Sequence, residues 1–174
     1  VYFRYNPELM DPKAGFFWSK NSVNGKLKQT STTDISRYGE DEYDKVCWYY
    51  QPVEKGKPTW THTYHNETIG TEMISYGIPF YIGDILVGVI GIDVDFAYLV
   101  DMAQEGAVYE NGRGNLVDLG QRQVYFRKAG DNELTIRHII ISDHFYHTLK
   151  KADSNQGKLL PFSYHNKDMH MTYQ

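Results

Sequence analysis

The stretch Ile78–Asp95, IPFYIGDILVGVIGIDVD, decides the fold: an apolar strand, a Gly83-Asp84 turn, and a second apolar strand that runs into two acids. A Gly-Asp pair between two β-rich runs predicts a hairpin, because such a turn needs the positive φ that glycine supplies freely. The near-continuous apolar run Ile85–Ile92 predicts a strand buried on both faces. Asp95, followed by FAYLVDMA, reads as the N-cap of a helix over Phe96–Ala103. Asp93 lies two residues back on the same strand face, which leaves it free to meet a cation or a hydrogen-bond donor.

Working outward, Val1–Asn6 alternates as a strand, and Pro7, Pro12 and Gly15 break the chain before a second strand at Phe16–Ser19. A polar segment with an Asn24-Gly25 turn follows, then a short helix over Asp44–Gln51 that Pro52 is expected to close. Pro58–Tyr64 is β-prone, His65–Gly70 reads as a loop, and Glu72–Tyr81 pairs with Ile85–Val94. Beyond the helix a smaller sheet unit is expected: Ala107–Tyr109, Asn115–Leu119, a turn at Gly120, Val124–Arg127, a helix over Asp143–Ala152, and strands at Lys158–His165 and Lys167–Gln174. This order gives an α+β class of two antiparallel units, residues 1–105 and 106–174.

Composition narrows the function classes. The 174 residues carry a net charge of −4, and no Lys/Arg run exceeds a pair such as Lys150-Lys151, so nucleic acid is not a partner. The single Cys47 excludes an internal disulfide and a cysteine-built zinc site. Aromatic residues reach 15%, with fifteen Tyr, a composition that suits half-buried sheet faces and ligand cages alike. No apolar run approaches the ~20 residues of a membrane-spanning helix. The chain opens and closes in mid-strand, as expected of a domain excised from a longer protein.

The segments VYFRYNPEL, GFFW, TTDIS, CWYYQP, TWTHTYHN, MISYGIPFY and VGVIGIDVDF, in this order, resemble the double Cache sensor domains of bacterial receptors such as diguanylate cyclases and histidine kinases. The resemblance covers roughly residues 1–119, and GNLVDLGQRQVYF looks like the start of the membrane-proximal half. It implies two PAS-like modules on an N-terminal stalk helix missing here, a non-catalytic extracytoplasmic domain, and a membrane-anchored, homodimeric parent. It also implies a ligand pocket in the first, membrane-distal module and no cofactor.

In the amino-acid-binding members of that family, an Arg-x-Trp-Tyr cluster, a later Tyr and a later Asp grip the ligand. Those positions fall on Trp48, Tyr49, Tyr64 and Asp93, while the arginine position is Val46. The resemblance therefore implies an intact ammonium-gripping half and a carboxylate-gripping half without its arginine, hence a preference for amines over amino acids. Trp60 and Tyr76 are further candidate walls, each aromatic face adding about 0.5–2 kcal/mol to a desolvated cation. Arg4, on the opening strand, is the one residue that supplies a positive charge from another direction.

Blander readings stand beside these. Trp48-Tyr49-Tyr50 also suits the apolar side of a helix on the sheet, Asp93 a loop cap, and Cys47 a small buried hydrophobe. Two other function classes remain: a structural or dimerisation module with an empty pocket, and a metal-dependent hydrolase built on His62, His65, Glu67 and Asp93. His62 and His65 lack a familiar metal spacing. The acids Glu40, Asp41, Glu42 and Asp44 read as charge at a helix N-terminus, and Gly88-x-x-Gly91 lies inside a strand, where it cannot cradle a phosphate.

Overall fold

The computed structural model describes residues 1–20, 25–105, 114–127, 136–153, 160–164 and 167–171. Seven strands form one sheet: β1 (Tyr2–Tyr5), β2 (Gly15–Ser19), β3 (Lys28–Thr30), β4 (Thr59–Trp60), β5 (Tyr64–Asn66), β6 (Thr71–Ile82) and β7 (Ile85–Asp95). Their spatial order is β3-β2-β1-β7-β6-β4, with β5 also on the free edge of β6, and every pairing is antiparallel. The β6–β7 hairpin is the one read from the sequence. Its turn rests on Gly83 at φ 57°, the left-handed conformation for which glycine has no steric penalty.

Helix α1 (Tyr43–Lys55) lies on the inner face of this sheet and buries Val46, Cys47, Trp48, Tyr49 and Pro52. It runs one turn past Pro52, which was expected to end it. A proline removes the N–H that would have bonded the carbonyl four residues earlier, that of Trp48. Tyr2 repairs the loss: its hydroxyl donates to the Trp48 carbonyl at 3.1 Å. The helix ends instead at Gly56, whose φ of 59° and ψ of 21° form a left-handed cap, its N–H bonding the Val53 carbonyl.

A register row explains how α1 sits so close. Phe17, Tyr2, Gly91, Gly77 and Thr59 stand side by side across five strands. A Cβ on Gly91 would meet the Tyr2 ring at 2.4 Å, and one on Gly77 would meet the Pro52 ring at 2.9 Å and the Trp48 carbonyl at 3.1 Å. The paired glycines form a trough that holds the Tyr2 ring and lets Trp48 and Pro52 approach the sheet. Tyr2 then meets the Trp48 ring edge-on, centroids 4.8 Å apart.

The outer face departs from the sequence expectation. Ile85–Ile92 is not buried on both sides: Val89 is fully buried, while Ile90 and Ile92 are 42% and 45% exposed. Continuous apolarity says that both faces favour cover, and α1 covers only one. Phe3 stacks on Phe16, with Phe80, Ile78 and Ile90 around them, so the uncovered face is a continuous apolar surface. Patches of this kind drive association. We expect this chain to self-associate with rising concentration in sedimentation velocity, and Ile90→Asp to shift it toward monomer; a monodisperse wild-type monomer would count against the expectation.

Helix α2 (Phe96–Glu105) begins where β7 ends, capped as read from the sequence: the Asp95 carboxylate accepts from the N–H groups of Ala97 at 2.8 Å and Tyr98 at 3.3 Å. Phe96 and Val100 pack on Tyr125, and Asp101 pairs with Arg127, tying α2 to a second sheet of β8 (Leu116–Asp118), β9 (Gln123–Phe126) and β10 (Arg137–Ile140). β10 was not foreseen: all four of its residues are exposed, so it carries no burial alternation. Leu149 of α3 (Asp143–Asp153) packs with Val124 and Ile141, and β11 (Leu160–Tyr164) pairs with β12 (Lys167–Met171). The strand expected at Ala107–Tyr109 and the turn residue Asn24 lie outside the described residues.

Candidate functional site

Asp93 stands on the inner face of β7, directly opposite Ser75 of β6. Ser75 is fully buried, and both its backbone groups are held by Thr61: the Ser75 N–H bonds Thr61 Oγ1 at 2.9 Å, and its carbonyl accepts from the Thr61 N–H at 2.8 Å. The Ser75 hydroxyl donates to Asp93 Oδ1 at 2.6 Å and lies 2.7 Å from the buried hydroxyl of Tyr64 on β5. An ionised carboxylate only accepts, so Ser75 spends its proton on Asp93 and Tyr64 is the donor to Ser75. With Asp93 ionised, the proton order is Tyr64 to Ser75 to Asp93.

Burial pushes the Asp93 carboxyl above its ordinary value of 3.8, and the Ser75 bond, the charge of the Val1 terminal ammonium and the Tyr64 hydroxyl oppose that rise. The same burial, with the Asp93 charge nearby, raises Tyr64 well above its ordinary 10.0, so Tyr64 keeps its proton. The stability consequence has a definite sign. The folded state holds the Asp93 proton more tightly than the unfolded chain, so stability from this group falls as pH rises from 3.8 through the raised folded value. Affinity for a cation at Asp93 should rise over the same interval. Urea titrations and cation binding measured across that range check the pair of slopes, and Asp93→Asn should flatten both.

The walls of the recess around Asp93 come from four places. Trp48 projects from α1, its Nε1–H turned back to the Lys45 carbonyl at 3.2 Å, so the ring is what faces the sheet. Tyr2, Arg4 and Phe17 come from β1 and β2, Tyr64 and Asn66 from β5, and Thr32 and Thr33 from the segment after β3. The enclosed space is only about 20 Å³, room for roughly one water. Outside it lies a shallower cavity of about 280 Å³ that shares Thr32 and Thr33 with the recess and carries Lys13, Arg37, Tyr38 and Glu67. The Thr33 and Thr68 hydroxyls lie 3.3 Å apart in the lining of this cavity.

Arg4 is 1% exposed. Its guanidinium donates to the carbonyls of Lys13 at 2.5 Å, Thr33 at 2.6 Å and Pro12, while its Nε has no partner. Burial lowers its pKa from 12.5, and the charges of Asp34 and Asp11 hold it up. No carboxylate forms an ion pair with it among the described residues.

Four of the seven residues singled out from the sequence, Arg4, Trp48, Tyr64 and Asp93, therefore line one recess. Tyr49 does not. It is buried beside Trp48, its hydroxyl without a partner and its pKa pushed up to about 12 by burial. Val46 is buried at 1% exposure in the core. Trp60 and Tyr76 sit opposite each other on the other face of the sheet, centroids 5.0 Å apart, away from Asp93. Tyr2, Phe17, Thr32, Thr33, Asn66 and Ser75 were not anticipated.

The hydrolase constellation does not assemble. His62 bridges Gln51 and Asp44 at 3.1 and 3.2 Å, His65 pairs with Glu72, and Glu67 with Lys45. No three metal-binding side chains converge among the described residues. A larger groove of about 620 Å³ runs between α1, α2 and the second sheet past Trp60, Phe96 and Tyr125. Its lining carries no counterpart of the buried Arg4 and the recessed Asp93.

Residues 2–101 match the family model for methyl-accepting chemotaxis protein-like receptors, first PDC sensor domain. The chain belongs to this family. The match spans more than half of the chain and contains every residue of the Asp93 recess. No curated protein sequence matches the chain. Among solved structures, this PDC domain is similar to the extracellular domain of mmHK1S-Z2, assigned as a histidine kinase, with a TM-score of 0.61 and 19% identity over 99% of this chain and 68% of that one. Methyl-accepting chemotaxis protein X follows with 0.56 and 21% over 91% of this chain and 56% of that one. The extracellular domain of mmHK1S-Z3 has 0.52 and 19% over 71% and 46%. At these identities the likeness is one of fold. This PDC domain spans about half to two thirds of the length of those chains.

Proposed function

We propose that this PDC domain is the extracytoplasmic, non-catalytic sensor of a membrane receptor and that it binds a small molecule carrying a protonated amine, an amine or an amino acid, in the Asp93 recess. One observation carries the reading: a recessed carboxylate, held by Ser75 and Tyr64 at the foot of aromatic walls, with no basic side chain paired to it. A buried carboxylate that no side-chain cation pairs costs several kcal/mol, and an ammonium ion supplies both charge and donors. Residues 1–105 form the membrane-distal ligand-binding module, which α2 closes, and the chain from 106 onward belongs to the proximal one. Only a ligand that binds two arrangements of the module unequally transmits a signal.

A thermal-shift screen of the intact chain with amines, amino acids and simple carboxylates tests this. Stabilisation by ammonium-bearing compounds is the expected result; stabilisation by carboxylates alone would overturn it. The small enclosed volume favours one competing reading, a ligand-free structural module, and that reading expects no compound in the screen to shift the transition.

A further inference from the structure

We propose that the groove between α1, α2 and the second sheet is a second binding site, and that it takes an amphipathic monocarboxylate, an aliphatic or aromatic acid whose apolar body lies along α2 and β8 and whose carboxylate meets Lys55. The groove stands apart from the Asp93 recess, for no residue lines both. Its volume of about 620 Å³ falls within the range of about 300–1,000 Å³ that suits small-molecule pockets. Elements distant in sequence build it. α1 contributes Gln51 and Lys55, the link from β4 to β5 contributes His62, and α2 with the second sheet contributes Phe96, Leu99 and Leu116.

The lining is segregated by polarity. Phe96 meets Tyr125 edge-on, centroids 4.7 Å apart, and with Leu99 and Leu116 these rings form an apolar floor that Trp60, 51% exposed, continues as a wall. Half-open apolar side chains gain from cover in proportion to the area removed from water. On the other side, Gln51 and Lys55 share a face of α1 at a spacing of one turn. Gln51 Nε2 lies 3.1 Å from Nδ1 of His62, so amide, imidazole and ammonium stand together. Two full charges border the groove, and they are not equivalent. Asp118 Oδ1 already accepts from the N–H groups of Gly120 at 2.8 Å and Gln121 at 2.9 Å, which commits its carboxylate to its own turn. Lys55 forms no ion pair among the described residues. Its place in the last turn of α1 complements the helix dipole, which explains a lysine there but not the apolar groove beside it. An anion gains a charge-assisted bond at that ammonium, and an apolar body attached to the anion covers the floor.

Calorimetry on the intact chain tests this with 4-phenylbutanoate and its neutral counterparts 4-phenylbutanamide and 4-phenylbutan-1-ol, which share one apolar body. The acid should bind about tenfold or more tighter than either, and affinity should grow about two- to fourfold with each methylene from phenylacetate to 4-phenylbutanoate. Lys55→Gln should bring the acid down to the affinity of its amide without weakening the amide, whereas Trp60→Ala should weaken acid and amide alike. Both side chains are exposed, so neither substitution opens the core. Asp93→Asn separates the two sites: the acid should bind that variant as tightly as the wild type, and a loss there would place it in the recess and overturn the second site. An acid that binds no tighter than its amide, an affinity unmoved by Lys55→Gln, or no binding by any of these compounds would overturn it as well.

Discussion

Asp93→Asn should produce a protein that is slightly more stable without ligand near neutral pH and about thirtyfold or more weaker toward any ammonium compound that binds the wild type. The two changes have one cause. Burial raises the Asp93 pKa, so keeping the group ionised near neutral pH is a cost to the ligand-free fold, and the amide removes it. The amide oxygen still accepts from Ser75, so the floor of the recess stays in place. The cation loses its counter-charge, and removing one partner of a buried charged contact costs about 2–5 kcal/mol. At a ligand concentration a hundredfold above the dissociation constant, the wild type gains about 2.7 kcal/mol, a shift of several degrees for a chain of this size. A thirtyfold loss leaves less than about 1 kcal/mol of that gain. Melting curves of the two proteins with and without ligand measure both effects at once. An unchanged affinity would remove Asp93 from the site.

The legibility of this site in the sequence stopped at one residue of register. The hairpin itself was readable, because a Gly-Asp turn between two apolar runs has few alternatives. Counting outward from that turn pairs Ile82 with Ile85 and Tyr81 with Leu86, and continued unbroken it would set Ile74 across from Asp93. The strands contain a bulge between Phe80 and Tyr81, after which Phe80 faces Gly88 and Ser75 faces Asp93. Val87 is the extra residue, and Asn6 holds the bulge from the neighbouring strand: its N–H bonds the Val87 carbonyl at 2.8 Å and its side chain the Leu86 carbonyl at 3.1 Å. A tertiary contact 80 residues away in sequence thus decides which side chain orients Asp93. Alternation cannot report it.

The outer face was misjudged for a related reason. The run Ile85–Ile92 is apolar at every position because both faces of the strand are built for cover, and composition carries no information about whether cover is present. Trp60 and Tyr76 fall on that face because they pair in register with each other, a relation that depends on the short β4 edge strand. Arg4 was singled out as the one residue supplying a positive charge from another direction. That it lines the same recess as Asp93 depends on β1 inserting next to β7, a long-range pairing that local pattern does not encode.

Gly91→Ala should be among the most destabilising single-methyl changes in this protein, about 2–4 kcal/mol, because it combines overpacking with the loss of a buried hydrogen bond. The new Cβ would lie 2.4 Å from the Tyr2 ring and 2.7 Å from the Tyr76 carbonyl. Tyr2 cannot swing aside cheaply, since its hydroxyl is what satisfies the Trp48 carbonyl left open by Pro52. Moving the ring therefore exposes the weak point of α1 and displaces Trp48 from the recess, so ligand-induced stabilisation should fall with stability. Gly56→Ala provides the contrast: it meets no neighbour within 4 Å and carries only the left-handed φ of 59°, worth about 1 kcal/mol. Urea unfolding of Gly91→Ala alone and combined with Tyr2→Ala distinguishes the mechanisms. If the trough exists to hold the ring, the double variant should recover part of the Gly91→Ala loss, with a coupling of at least about 0.5–3 kcal/mol. Strict additivity would mean that the glycine serves the backbone of β7 and not the packing of Tyr2 under α1.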